Sequence, residues 1–219
     1  MGNDDKPPGT ATAALASALA NLERSQRRFP EGRRRIFLAA IDAFAERGFH
    51  ATTTRDIAAR AGLSPAGLYV HFGSKEEVLH RISLSSVRLT QQVAQAAAAT
   101  SGSAAHRLAT TVANLAAWHA EHNAAVRVVL HHLTDLTPDH RTEVLAVQDA
   151  IHAILRDLVA TGADQDEFAL APADPTTTAI ALYSLCVDTA RWYHPAHHRT
   201  PERIGADYAA VALRIVGAV

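Results

Sequence analysis

The chain has 219 residues, 48% of them hydrophobic and 20% charged, which suits one compact domain or a small domain joined to a larger one. No apolar run approaches the roughly 18–20 residues of a membrane span, and the start Met1-Gly2-Asn3-Asp4-Asp5-Lys6 lacks the basic and apolar stretches of a signal peptide. The formal net charge of −1 hides an asymmetry: Arg24 to Lys75 holds ten basic residues against four acids, a balance of +6, leaving −7 elsewhere. The one cysteine, Cys186, excludes an internal disulfide and fits a cytoplasmic setting.

Alanine is abundant and strand-forming runs are scarce, so the fold class expected is all-α. Residues 1–11, with Pro7, Pro8 and Gly9, read as a disordered start. A helix is expected over 12–28, carrying Leu15, Leu19 and Leu22 on one stripe, and Pro30 ends that segment. The next helix, 31–47, spaces Phe37, Ala40, Ile41 and Phe44 for one face and is closed by Gly48. Thr52-Thr53-Thr54 supplies capping hydroxyls for a short helix over 54–61. Gly62-Leu63-Ser64 breaks it, and Ser64 with Pro65 opens another that runs to about Phe72. Ser74 and Glu77 have capping-box spacing at the start of a long helix reaching about Ala99. Further helices are expected over 103–122, 124–134, 140–161, 175–193 and 201–217, separated at Thr137-Pro138, Gly162–Pro175 and Pro195–Pro201. These breaks divide the chain into an extension over 1–30, a head of short helices over 31–76 and a larger helical body over 77–219.

Three short helices with a tight glycine-containing turn between the second and third make a helix-turn-helix. Leu68 and Phe72, four apart, anchor the third helix, while Pro65, Ala66, Gly67, Tyr69 and His71 lie on its other face. Small residues at that end let a helix backbone enter the major groove and bring its first amides to phosphate. Arg27, Arg28, Arg33, Arg34 and Arg35 either solubilise the head or form a basic arm that adds phosphate or minor-groove contacts.

The run Ala40, Phe44, Gly48, Thr53-Thr54, Ile57-Ala58, Ala61-Gly62, Ser64, Leu68-Tyr69, His71-Phe72 and Ser74-Lys75-Glu76 resembles the DNA-binding domain of the TetR family. Val70 and Gly73 depart from that family's pattern and leave the operator sequence open. The resemblance implies a homodimeric regulator, usually a repressor, that binds a pseudo-palindromic double-stranded operator and is released by a small effector. On that resemblance Thr54 and Arg55 meet phosphates, Ser64, Pro65, Ala66, Gly67 and Tyr69 face bases or backbone, and His71 and Lys75 hold phosphate.

The segment Arg191-Trp192-Tyr193-His194-Pro195 resembles the end of the TetR-type regulators of fatty-acid and sterol degradation, which implies an acyl-CoA thioester as effector. In the body Leu115, Trp118, His119, Val126, Leu130, Leu133, Val147 and Ile151 exceed what a scaffold stripe needs and are the expected lining of a cavity. Arg191 would take a phosphate of the CoA and Trp192 would stack on its base.

Thirteen histidines, among them His119 and His122, His131-His132 and the group His194, His197, His198, raise the alternative of a helical metalloprotein or enzyme. There is no second cysteine, no HExxH, no partnered nucleophile at Ser184 or Cys186 and no glycine-rich phosphate loop. No metal, cofactor or catalysis is therefore expected. A regulator without a physiological ligand is the third reading.

Overall fold

The computed structural model describes residues 31–170, 172–194 and 199–218. The helix expected over 12–28 and the residues His197 and His198 lie outside them. Among the described residues the regular elements are all helical. In chain order they are α1 (Glu31–Ala51), α2 (Thr54–Arg60), α3 (Pro65–Tyr69), α4 (Lys75–Ala98), α5 (Ala104–Glu121), α6 (Asn123–His132), α7 (Pro138–Asp164), α8 (Pro175–Trp192) and α9 (Pro201–Ile215). A 3-10 turn, Leu133–Asp135, follows α6.

The breaks fall where the punctuation residues stand. Gly48 interrupts α1 at φ 77°, in the left-handed region that favours glycine. Thr53 and Asp56 form a reciprocal capping box on α2. Ser64, Ser74, Thr137, Asp174 and Thr200 each accept a hydrogen bond from an amide in the first turn of the helix they open. α3 is shorter than its expected reach to Phe72, because Val70 to Gly73 tighten into a turn that redirects the chain into α4.

Two cores share α4. The first joins Ile36 and Phe44 of α1, Ile57 of α2, Leu68 and Phe72 around α3, and Leu79 and Ile82 of α4 with Val128 and Val129 of α6 and Val144 of α7. The second joins Ala94 and Ala98 of α4 to Leu108 and Leu115 of α5, Ile151 and Leu155 of α7, Leu182 and Cys186 of α8 and Ala212 of α9. The boundary expected at 76/77 thus falls inside the first turn of α4, and apolar packing crosses it. α9 packs most extensively on α5. Gly205 makes that approach close: a side chain there would run into the Ala113 carbonyl.

A polar strap ties the start of α4 to the start of α7. The His80 and His140 rings stack with centroids 3.7 Å apart and planes 3° from parallel. Glu143 lies 2.9 Å from His80 Nε2 and accepts from Arg88 at 3.1 Å, while Glu76 lies 2.9 Å from His140 Nδ1 and accepts from the Thr137 amide.

Cys186 and His119 are among the titratable groups buried deep in the body. Burial pushes the Cys186 thiol up to about 12. His119 is buried, its Nδ1 donating to the Leu115 carbonyl at 2.7 Å. Burial is the dominant cause that holds its pKa down to about 4, against the opposing effect of that hydrogen bond. The unfolded chain takes up this proton near pH 6.5, the folded one only near 4, so the contribution is complete above pH 6.5. It is lost as pH falls from 6.5 toward 4, by about 3 kcal/mol in all. Urea unfolding of wild type and His119→Gln at about pH 7 and about pH 4.5 checks this: the advantage of the wild type should shrink at the lower pH.

Candidate nucleic-acid interface

α2, the turn Ala61–Ser64 and α3 form the helix-turn-helix. Leu68 is fully buried and Phe72 nearly so, which turns the opposite face of α3 outward. Pro65 and Ala66 are exposed and Gly67 half-buried. Tyr69 is 53% exposed and Val70 80%. The Tyr69 hydroxyl lies 3.2 Å from Thr54 Oγ1, so one outer contact from each helix meets in a single patch. Beside it Arg55 is exposed and makes no ion pair or hydrogen bond among the described residues. Ser64 is exposed, and its hydroxyl already accepts from the Gly67 amide at 3.1 Å as the α3 cap. Its proton is still available to an acceptor outside the chain.

His71 is half-buried and turned toward the start of α1, where Gly32 leaves room for its ring. Lys75 departs from the phosphate contact expected of it. Its ammonium donates to the Phe49 carbonyl at 2.7 Å and the Thr52 carbonyl at 2.8 Å, above the Phe49 ring. The chain turns sharply after Gly48, and Lys75 bridges the Phe49 carbonyl near the end of α1 and the Thr52 carbonyl just beyond it. Desolvation is the leading cause of its lowered pKa.

Arg33, Arg34 and Arg35, expected either to solubilise the head or to form a basic arm, lie in the first turns of α1. Arg35 donates to the carbonyls of Ala61 and Gly62, clamping the turn between α2 and α3. Gly62 itself sits at φ 66°. Arg60 grips Glu46 through two hydrogen bonds of 3.0 and 2.6 Å, fixing α2 on α1. None of these clamps had a signal in the sequence, because each joins residues 14 to 27 positions apart.

The ten residues expected around an effector do not gather at one point. Leu115, Ile151 and His119 are buried in the body, His119 edge-on to Tyr183. Trp118 packs with Val93 of α4 and stacks on His122 at 3.7 Å. Val126 is buried, Leu130 half-buried, and Val147 packs against the first core with Leu133. Arg191 and Trp192 stand exposed at the end of α8, Arg191 3.4 Å from Asp188 and Trp192 bonded to Tyr208. They are apart from the apolar set because they lie on the outward face of the last turn of α8, whose Thr189 and Ala190 are buried. Among the described residues no three His, Cys, Asp or Glu side chains form a group that could hold a metal ion. No described helix is long and apolar enough to cross a membrane.

Residues 36–82 match the bacterial regulatory proteins of the tetR family, and residues 101–216 match the tetracyclin repressor-like C-terminal domain. The chain belongs to the TetR family. Its head is the helix-turn-helix of a DNA-binding transcriptional regulator. A tetR-family regulatory protein from Rhodococcus RHA1 superposes with a TM-score of 0.82 at 34% identity, covering 87% of this chain and all of that one. The TetR-family regulator PfmR from Thermus thermophilus gives a TM-score of 0.76 at 29% identity, covering 82% of this chain and 97% of that one. Among curated relatives, the repressor KstR2 of Mycobacterium tuberculosis is 54% identical over 43 residues, 20% of this chain and 22% of that protein. YerO of Bacillus subtilis is 45% identical over 49 residues, 22% of this chain and 17% of that protein. The chain thus matches about a fifth of the length of these curated relatives.

The Lys75 geometry carries its own test. Lys75→Ala leaves the Phe49 and Thr52 carbonyls without their charged donor, at a cost on the order of 1–3 kcal/mol. Thermal unfolding should show a clearly lowered midpoint, whereas Arg55→Ala should leave it unchanged.

Proposed function

We propose that the protein is a homodimeric repressor that binds a pseudo-palindromic operator and releases it on binding an acyl-CoA thioester. The observation that carries the DNA part is the outward face of α3. Thr54, Arg55, Ser64, Pro65, Ala66, Gly67 and Tyr69 form one surface of small, hydroxyl and cationic groups, with His71 at its far end. A short helix presented by a clamped turn, with small residues at its start, suits the width of the major groove. Arg55 and the Thr54 and Tyr69 hydroxyls suit flanking phosphates.

Self-association has its own support. α8 and α9 leave Ile180, Leu185, Val211 and Ile215 each 39–47% exposed, while Tyr183 and Ile204 on the same helices are buried. Apolar residues beyond what the core absorbs suit pairing with the same two helices of a second copy. Two heads would then address half-sites about 34 Å apart or a multiple of it.

The effector reading rests on the body. Trp118 is buried and its Nε1 has no hydrogen-bond acceptor among the described residues. A buried donor without a partner is costly, and a ligand carbonyl would relieve it. A thioester supplies that carbonyl next to an acyl chain suited to the apolar wall of Val93 and Leu89. At 21% identity AibR shares only the fold, and its structure holds isovaleryl coenzyme A together with operator DNA. The exposed Arg191 and Trp192 offer a cation and an aromatic face for the nucleotide end. The ligand shifts the heads by no more than its differential affinity for their two separations.

Operator affinity measured across a salt series tests the DNA face. Tyr69→Ala should weaken binding without loss of helicity, and Arg55→Ala should lower the slope of log affinity on log salt by about one unit. Wild-type binding by both variants would overturn the docking face. A DNA-release titration with matched thioesters, free acids and free CoA tests the effector. Thioesters alone should release DNA, and Trp118→Phe and Arg191→Ala should each blunt the response. Release by free acids at equal concentration would remove the thioester while leaving the regulator in place.

A further inference from the structure

A concavity lies in the head, away from Trp118 and His119. It is a cleft of about 180 Å³ between the start of α1, the end of α3 and the middle of α4, lined by residues that include Arg33, Phe37, Phe72, Arg81, Leu84 and Arg88. Its apolar floor is well made: Leu84 and Phe72 are buried, and the Phe37 and Phe72 rings lie 6.3 Å apart in a tilted pair. Its rim is cationic. The Arg33 guanidinium lies over the Phe72 ring at 5.7 Å. Arg88 shares Glu143 with His80. Arg81 is exposed, with no ion pair or hydrogen bond among the described residues. The one acid of the lining, Glu77, has an oxygen accepting from the Gly73 amide at 2.7 Å. Three guanidinium groups therefore stand around an apolar floor with the Glu77 carboxylate, while a second carboxylate, Glu143, holds Arg88 from outside the lining.

From this juxtaposition we infer that the cleft is a binding site for a small amphipathic anion, an aryl or short acyl carboxylate, separate from the effector site proposed in the body. Arginine holds a carboxylate through two parallel N–H donors, and its attraction strengthens where water is partly excluded. The apolar floor requires a stem, which inorganic phosphate and a solvated phosphodiester lack. The volume lies below the roughly 300–1,000 Å³ of pockets for drug-sized ligands, so the occupant is a single ring or short chain. A bound carboxylate also competes with Glu143 for Arg88 and so reaches the strap between α4 and α7. The wall contributed by His71 and Phe72 places it directly behind α3.

Calorimetric titration of the full chain, free of DNA, tests this with 4-phenylbutyrate as probe, 4-phenylbutanol and inorganic phosphate as its two halves, and the variants Arg81→Gln and Arg156→Gln. Arg156 is an exposed arginine of α7 whose loss makes the same change in charge. Phenylbutyrate should bind at one site per chain, at least about tenfold tighter than either half, and Arg81→Gln should weaken it by about tenfold. Arg156→Gln should bind as the wild type does. Absence of saturable binding, equal binding by phosphate, or unchanged binding in Arg81→Gln would each overturn the site. Because no DNA is present, none of these outcomes depends on the operator or thioester reading.

Discussion

A helix of five residues has too few internal hydrogen bonds to persist alone, and α3 is such a helix. Its shape is imposed from outside. Leu68 and Phe72 draw it onto α1 and α4, Ser64 fixes its first turn, and Arg35 holds the carbonyls of the turn before it. α1, α2 and the start of α4 are held in turn by Arg60 on Glu46 and by Lys75 on the end of α1. The outer surface of α3 is therefore a rigid consequence of buried contacts, and its small residues are free to serve a partner because none is needed for packing.

α4 extends that constraint into the body. Its first turns belong to the core of the head and its last turns to the core of the body, so a displacement at either end is transmitted along one continuous helix. The strap of Glu76, His140, His80, Glu143 and Arg88 binds its head end to α7. Desolvation, with the charge of His140 next, lowers the pKa of His80, so its burial in the strap favours the neutral His80 ring.

Much of this was legible in the residues. Helical periodicity found the all-α class, and threonine, serine, proline and glycine marked the element ends because their effects are local. The exposed position of Tyr69 followed from its place next to Leu68 in a short helix. The long-range polar contacts were not legible. Lys75 reads as a surface cation until the turn after Gly48 is seen to bring two carbonyls within its reach. Arg35 reads as a solubilising charge or part of a basic arm until the fold brings Gly62 beneath it. The expected cavity lining was divided for a related reason: Leu115 and Ile151 share the core of the body, whereas Trp118 packs on Val93 and Val147 joins the core of the head. Arg191 and Trp192 were matched by a segment whose outward face depends on how α8 packs.

Cys186 offers an experimental handle of a different kind. It is the only thiol in the chain and is completely buried between α5 and α8, its proton held by desolvation. A thiol reagent in solution therefore meets thiolate only when the body opens. Reaction of the unaltered protein with such a reagent becomes a clock for that opening, and its rate with and without a bound molecule reports how far the molecule holds the body closed.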